Sequence, residues 1–91
     1  MLITVSIFVT GKVQGVYYRQ SAREKALALG IKGKVMNLPD GNVQIIATGR
    51  KEKIDELLHW CNEGPPGAVV SNINVEEMSL QEFSHFIIVR S

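Results

Sequence analysis

The chain has 91 residues, 45% of them hydrophobic and 21% charged, which suits one domain spanning residues 1–91 around a single small core and leaves no room for a cofactor domain. Ten Lys and Arg against nine Asp and Glu give a net charge of +1, which argues against binding to nucleic acid or a membrane surface through bulk electrostatics. The single cysteine, Cys61, rules out an intrachain disulfide and suits a reducing compartment.

The N-terminus, Met1-Leu2-Ile3-Thr4, lacks the positive flank of a secretory signal, the first basic residue being Lys12. No apolar run approaches the roughly 18 residues of a membrane span, so a soluble, cytoplasmic protein is expected. From Leu2 to Thr10, Ile3, Val5, Ile7 and Val9 alternate with Thr4, Ser6 and Thr10, the pattern of a half-buried strand. After a loop, Ala22, Ala26 and Leu29 recur at helical spacing with Arg23, Glu24 and Lys25 between them. This predicts an amphipathic helix starting near Arg19 and stopping at Gly30.

Ile31, Gly33 and Val35 then alternate, and Leu38-Pro39-Asp40-Gly41 turns the chain into Val43, Ile45 and Ala47, which reads as a β-hairpin. A second helix follows Gly49, with Ile54, Leu57, Leu58 and Cys61 as its apolar stripe, until Gly64-Pro65-Pro66-Gly67 forbids more. Ile73 and Val75 mark a fourth strand, and Phe86 to Val89 a short fifth at an edge. The order strand, helix, strand, strand, helix, strand, plus a terminal strand, predicts a ferredoxin-like α+β fold: a split βαβ unit, an antiparallel sheet and both helices on one face.

The loop from Gly11 to Arg19 has the makings of an anion cradle. Residues Gln14, Gly15, Val16, Tyr17, Tyr18 and Arg19 each carry a backbone N–H, and the first N–H groups of a helix have no intrahelical partner. Gly15 permits dihedrals that turn several of them inward, and Arg19 adds a permanently charged donor fork. In the expected topology the first and second strands run parallel with the third between them. The cradle and Asn37, which closes the second strand, therefore share one sheet edge, roughly 10 Å apart. Asn37 offers a donor and an acceptor that can hold a water.

What this site lacks limits its chemistry. The loop contains no Asp, Glu, His, Cys or Ser, so it offers neither a covalent nucleophile nor a strong base. His59, Cys61 and His85 do not have metal-ligand spacing, and Gly15-Val16 fails the nucleotide P-loop pattern. No metal and no cofactor is expected. A site of this kind suits a substrate that is already activated, such as an acyl phosphate, whose carboxylate leaving group has a pKa of about 4 to 5 and leaves without protonation. Phosphoryl transfer then depends on positioning and on charge held at the phosphate oxygens.

Val9-Thr10-Gly11-Lys12-Val13-Gln14-Gly15-Val16-Tyr17-Tyr18-Arg19 closely resembles the first signature of the acylphosphatases. Gly33-Lys34-Val35-Met36-Asn37, followed by Gly41, Val43 and Gly49, resembles their second. With the overall length and the Gly-Pro-Pro-Gly loop, the resemblance covers nearly the whole chain. It implies a ferredoxin-like sandwich and metal-independent hydrolysis of carboxyl-phosphate anhydrides, with a small acyl phosphate as substrate and inorganic phosphate as product. By motif position, Arg19 would be the phosphate-binding catalytic arginine, Asn37 would orient the attacking water, and Gln14 to Tyr18 would supply the cradle. Two positions depart from the family pattern: Tyr18 stands where phenylalanine or methionine is usual, and Lys34 where an aromatic is usual.

A non-catalytic anion-binding or regulatory domain on the same fold is the competing expectation, and the chain's end at Ser91 without an appended domain favours the standalone enzyme, expected as a monomer. An RNA-binding module would place aromatic residues on the exposed sheet face, where Thr4 and Ser6 stand instead. One of Tyr17 and Tyr18 is expected in the core. Trp60 and Cys61 read as packing residues, and His59 and His85 as surface or sheet residues.

Overall fold

Seven elements follow in the expected order in the computed structural model, which describes residues 1–90. They are β1 (Leu2–Lys12), α1 (Tyr18–Ala28), β2 (Lys32–Asn37), β3 (Val43–Arg50), α2 (Lys51–Glu63), β4 (Val69–Met78) and β5 (Phe86–Val89). The five strands form one sheet in the order β4-β1-β3-β2-β5. β3 lies antiparallel between β1 and β2, pairing Val9 with Val43 on one side and Asn37 with Val43 on the other. That central strand brings the C-terminal ends of β1 and β2 to the same edge. Neighbouring strands are spaced by about 4.8 Å, which puts those ends within reach of a single small ligand.

The core lies between the sheet and the two helices. Ile7, Val9, Val35, Ile45 and Ala47 from the strands meet Ala22 and Ala26 of α1 and Ile54, Leu57 and Cys61 of α2, all buried. The two alanines allow α1 to approach the sheet closely. Leu29, expected to close the apolar stripe of α1, is its C-cap and half-buried, while the helix stops before Gly30 at φ 71° as expected.

Two expectations need correction. The sheet is mixed rather than antiparallel, because β5 pairs parallel to β2, with Gly33 opposite Phe86 and Val35 opposite Ile88. The segment after β4 is long enough to cross the sheet and return to the far edge, so β5 enters in the direction of β2. That same crossing covers the polar face of β1, so the strand is not half-wet along its length: Thr4 and Ser6 are buried. The Gln81 N–H donates to Thr4 Oγ1 (2.9 Å), and Thr48 Oγ1 donates to the Gln81 carbonyl (2.8 Å). Ser6 Oγ accepts from Gln44 Nε2 (3.1 Å), so each buried hydroxyl has a partner, as burial of polar groups requires.

Candidate active site

The cradle begins where β1 ends. Gly15 has φ 75° and Tyr17 φ 63°, so the chain is bent into the left-handed region twice in three residues. For Gly15 this is free of steric cost, and a Cβ placed there would meet nothing within 4 Å. For Tyr17 it is a strained conformation held by its surroundings. The first turn of α1 closes with the Ser21 N–H donating to the Tyr17 carbonyl (3.0 Å). The backbone N–H groups of residues 15–20 donate to no acceptor among the described residues. They form a run of free donors where an anion is best accommodated.

Around them lies a cavity of about 380 Å³. Gly15, Tyr17, Tyr18, Arg19 and Asn37, all singled out from sequence, line it. Gln14 and Val16 flank it instead. The Gln14 side chain straps the cradle to the β2–β3 turn, donating from Nε2 to the carbonyls of Leu38 (2.8 Å) and Asn42 (2.9 Å). The turn it holds is itself braced by Asp40, whose Oδ1 accepts from the Asn42 N–H at 3.0 Å. Val16 packs on the core and beside Gly67, in the loop after α2.

Arg19 is half-buried and is held by one bond from Nη1 to the Val89 carbonyl (3.2 Å) at the end of β5. Asn37 Oδ1 is buried and has no hydrogen-bond partner among the described residues. A buried amide oxygen without a donor costs on the order of 1–3 kcal/mol, so the site has an unmet requirement for an O–H or N–H from a ligand. Val13, Gln20, Ile88 and Arg90 complete the lining, and no Asp or Glu is among them. The sequence reading missed these four. For Ile88 and Arg90 the missing information was the parallel pairing of β5 with β2.

The two tyrosines separate sharply: Tyr17 is 78% exposed at the cavity mouth and Tyr18 is 1% exposed. The hydroxyl that sets Tyr18 apart from the usual phenylalanine or methionine donates to the Cys61 carbonyl at 2.8 Å. Its ring packs at 5.2 Å, tilted, against Trp60. Burial first, then the neighbouring Cys61, holds the Tyr18 hydroxyl well above the usual tyrosine range, while burial pushes the Cys61 thiol up to about 12, partly opposed by its bond with Tyr18. Both groups are neutral at physiological pH and are packing groups rather than nucleophiles. Lys34 is half-buried in β2 between Ile46 of β3 and Ile87 of β5, away from the cavity. His59 pairs with Glu63 on the surface of α2, and neither histidine lines the cavity.

A sequence model of the family described as Acylphosphatase matches residues 5–88. An acylphosphatase of Acaryochloris marina is 48% identical over 89 residues, 98% of this chain and 96% of its own length. One of Methylococcus capsulatus is 49% identical over 87 residues, 94% and 95% of the two chains. Among solved structures, an acylphosphatase from Coxiella burnetii superposes with a TM-score of 0.94 at 42% identity, covering 97% of this chain and 93% of that one. With both signatures around one cavity and likeness at this level along almost its full length, the chain belongs to the acylphosphatase family.

Proposed function

We propose that the cavity between the cradle and Asn37 is the catalytic centre of an acyl phosphate hydrolase, with Arg19 and the N–H groups of the cradle binding the phosphoryl group and Asn37 holding the attacking water. The observation that carries the assignment is that Asn37, whose buried Oδ1 has no hydrogen-bond partner among the described residues, lines the same cavity as Arg19 and a run of free N–H donors. A water that donates to Asn37 Oδ1 keeps a lone pair free to attack phosphorus. As the new P–O bond forms, the bond from phosphorus to the acyl oxygen breaks, and its electron pair leaves with the carboxylate. The proton lost by the water passes to a phosphoryl oxygen. The carboxylate needs no proton, and the transition state asks mainly for alignment and for donors at the phosphoryl oxygens.

The Gln14 strap fits the same scheme. It ties the phosphate loop to the turn that follows Asn37, fixing the distance between the bound phosphorus and the water. The competing reading, an anion-binding domain without turnover, is disfavoured by the near-complete overlap with standalone acylphosphatases. The buried free Cys61 suits a cytoplasmic location.

Phosphate release from benzoyl phosphate in excess chelator tests the assignment. The wild type is expected to turn over, and Arg19→Gln to lose about a thousandfold in kcat, the scale of a lost transition-state donor. Asn37→Ala is expected to lose turnover comparably while the inhibition constant of inorganic phosphate stays near wild type, since the anion contacts remain. Full turnover by Arg19→Gln would sink the site, and absence of turnover by the wild type would sink the function.

A further inference from the structure

The cavity holds a second arginine that the scheme above leaves unused. β5 runs parallel to β2 with Val35 opposite Ile88 and Met36 opposite Val89. Arg90 directly follows the last paired residue of β5, as Asn37 follows Met36 in β2, so the two leave the sheet at the same edge. Side chains alternate across a strand, so Phe86, Ile88 and Arg90 share a face with Val35 and Asn37. Phe86 is buried on that face, and Ile88 and Arg90 line the cavity. No ion pair among the described residues engages Arg90, and no carboxylate lines the cavity to neutralise it.

From this arrangement we propose that Arg90 is a second phosphoryl-binding residue, donating from the β5 side to oxygens that the cradle and Arg19 leave uncovered. The proposal rests on the reading of the cavity as an acyl phosphate site. A phosphoryl group carries close to two negative charges at neutral pH, and the cradle N–H groups supply only partial positive charge. Arg19 contributes one full charge, and part of its donor fork is committed to the Val89 carbonyl. A second guanidinium beside the water site completes the charge match without touching the leaving carboxylate, which departs on the side of phosphorus opposite the water.

Position and exposure define what Arg90 contributes. Its side chain is solvent-exposed, so its attraction for the anion is screened by salt. In a loose transition state the phosphoryl oxygens keep much of the charge they had in the bound substrate, so Arg90 binds both states similarly. Loss of such an interaction raises KM more than it lowers kcat. Because Arg90 lies on the water side, the effect is the same for every acyl group.

Steady-state kinetics of Arg90→Ala and Arg90→Lys with acetyl and benzoyl phosphate, together with inhibition by inorganic phosphate, test this at two ionic strengths. In Arg90→Ala at low salt, KM for both substrates and the inhibition constant of phosphate are expected to rise together by about five- to tenfold, with kcat within about twofold of wild type. Arg90→Lys recovers part of the loss, and added salt narrows the gap between wild type and Arg90→Ala. KM and the phosphate inhibition constant within twofold of wild type in Arg90→Ala would overturn the proposal. So would an effect confined to one acyl group, or a fall in kcat alone. Failure of the underlying site assignment has a different signature, full turnover by Arg19→Gln.

Discussion

Tyr18 joins two parts of the molecule that lie 43 residues apart in sequence. The Cys61 carbonyl sits near the end of α2, and the N–H it would receive in a continuing helix belongs to position 65, which is Pro65 and has none. The Tyr18 hydroxyl supplies that missing donor. A Cβ at Gly64 would lie only 3.0 Å from the Tyr18 ring, so the glycine that ends α2 also makes room for the tyrosine. The departure of Tyr18 from the family pattern is thus a cap for α2 built from the first residue of α1. Tyr18→Phe keeps the ring and leaves a buried carbonyl unpaired, and is expected to lower stability by about 1–2 kcal/mol in urea unfolding. That a buried tyrosine hydroxyl needs a partner follows from sequence. Which carbonyl it finds is decided by the docking of the two helices.

At the scale of elements, β5 shows how a short strand becomes part of a site. It has four residues and one paired neighbour, β2. Two arginines one helical turn apart on α1 brace it: Arg19 donates to the Val89 carbonyl at 3.2 Å, and Arg23 Nε to the Phe86 carbonyl at 3.0 Å. The spacing of four residues puts both guanidinium groups on one face of the helix, over the strand. Arg23→Ala is expected to lower stability by about 1 kcal/mol, the loss of one part-buried hydrogen bond, and to increase hydrogen exchange across residues 86–89. Unchanged exchange there would show that the strand is held by its pairing with β2 alone. The existence of β5 was legible from Phe86 to Val89, as an edge strand. Its parallel direction was not, because direction depends on the path of residues 79–85 across the sheet, which carries no periodic signal.

At the scale of the molecule, the ion pairs among the described residues lie on the surface, with Lys51–Asp55 and Lys53–Glu56 both well exposed. Each contributes little to stability, so the titration of buried groups dominates the response to alkali. Tyr18 and Cys61 hold their protons more tightly folded than unfolded, Cys61 moving from 9.0 to about 12. Their contribution is therefore complete below the unfolded values and is lost progressively as pH rises from those values towards the folded ones. Above pH 9 the unfolded chain releases protons first, and stability is expected to fall by about 1.4 kcal/mol per pH unit for each group titrating. Urea midpoints that are flat from pH 7 to 8.5 and decline towards pH 11 would show it, and Cys61→Ala should reduce the slope. A flat midpoint to pH 11 would contradict it.

The sequence by itself determined the order of elements and the shared edge of β1 and β2, and it marked Gln14 to Arg19 as the candidate cradle at that edge. These rest on local periodicity, turn chemistry and the geometry of a crossover helix, all written within short stretches of chain. Only the tertiary structure decided that the Gln14 side chain is a strap, that Tyr18 and not Tyr17 is buried, and that Arg90 lines the cavity beside Asn37. Each of those depends on which distant segment lies opposite, and strand pairing across the whole chain sets that, whereas periodicity reports only which face a residue takes.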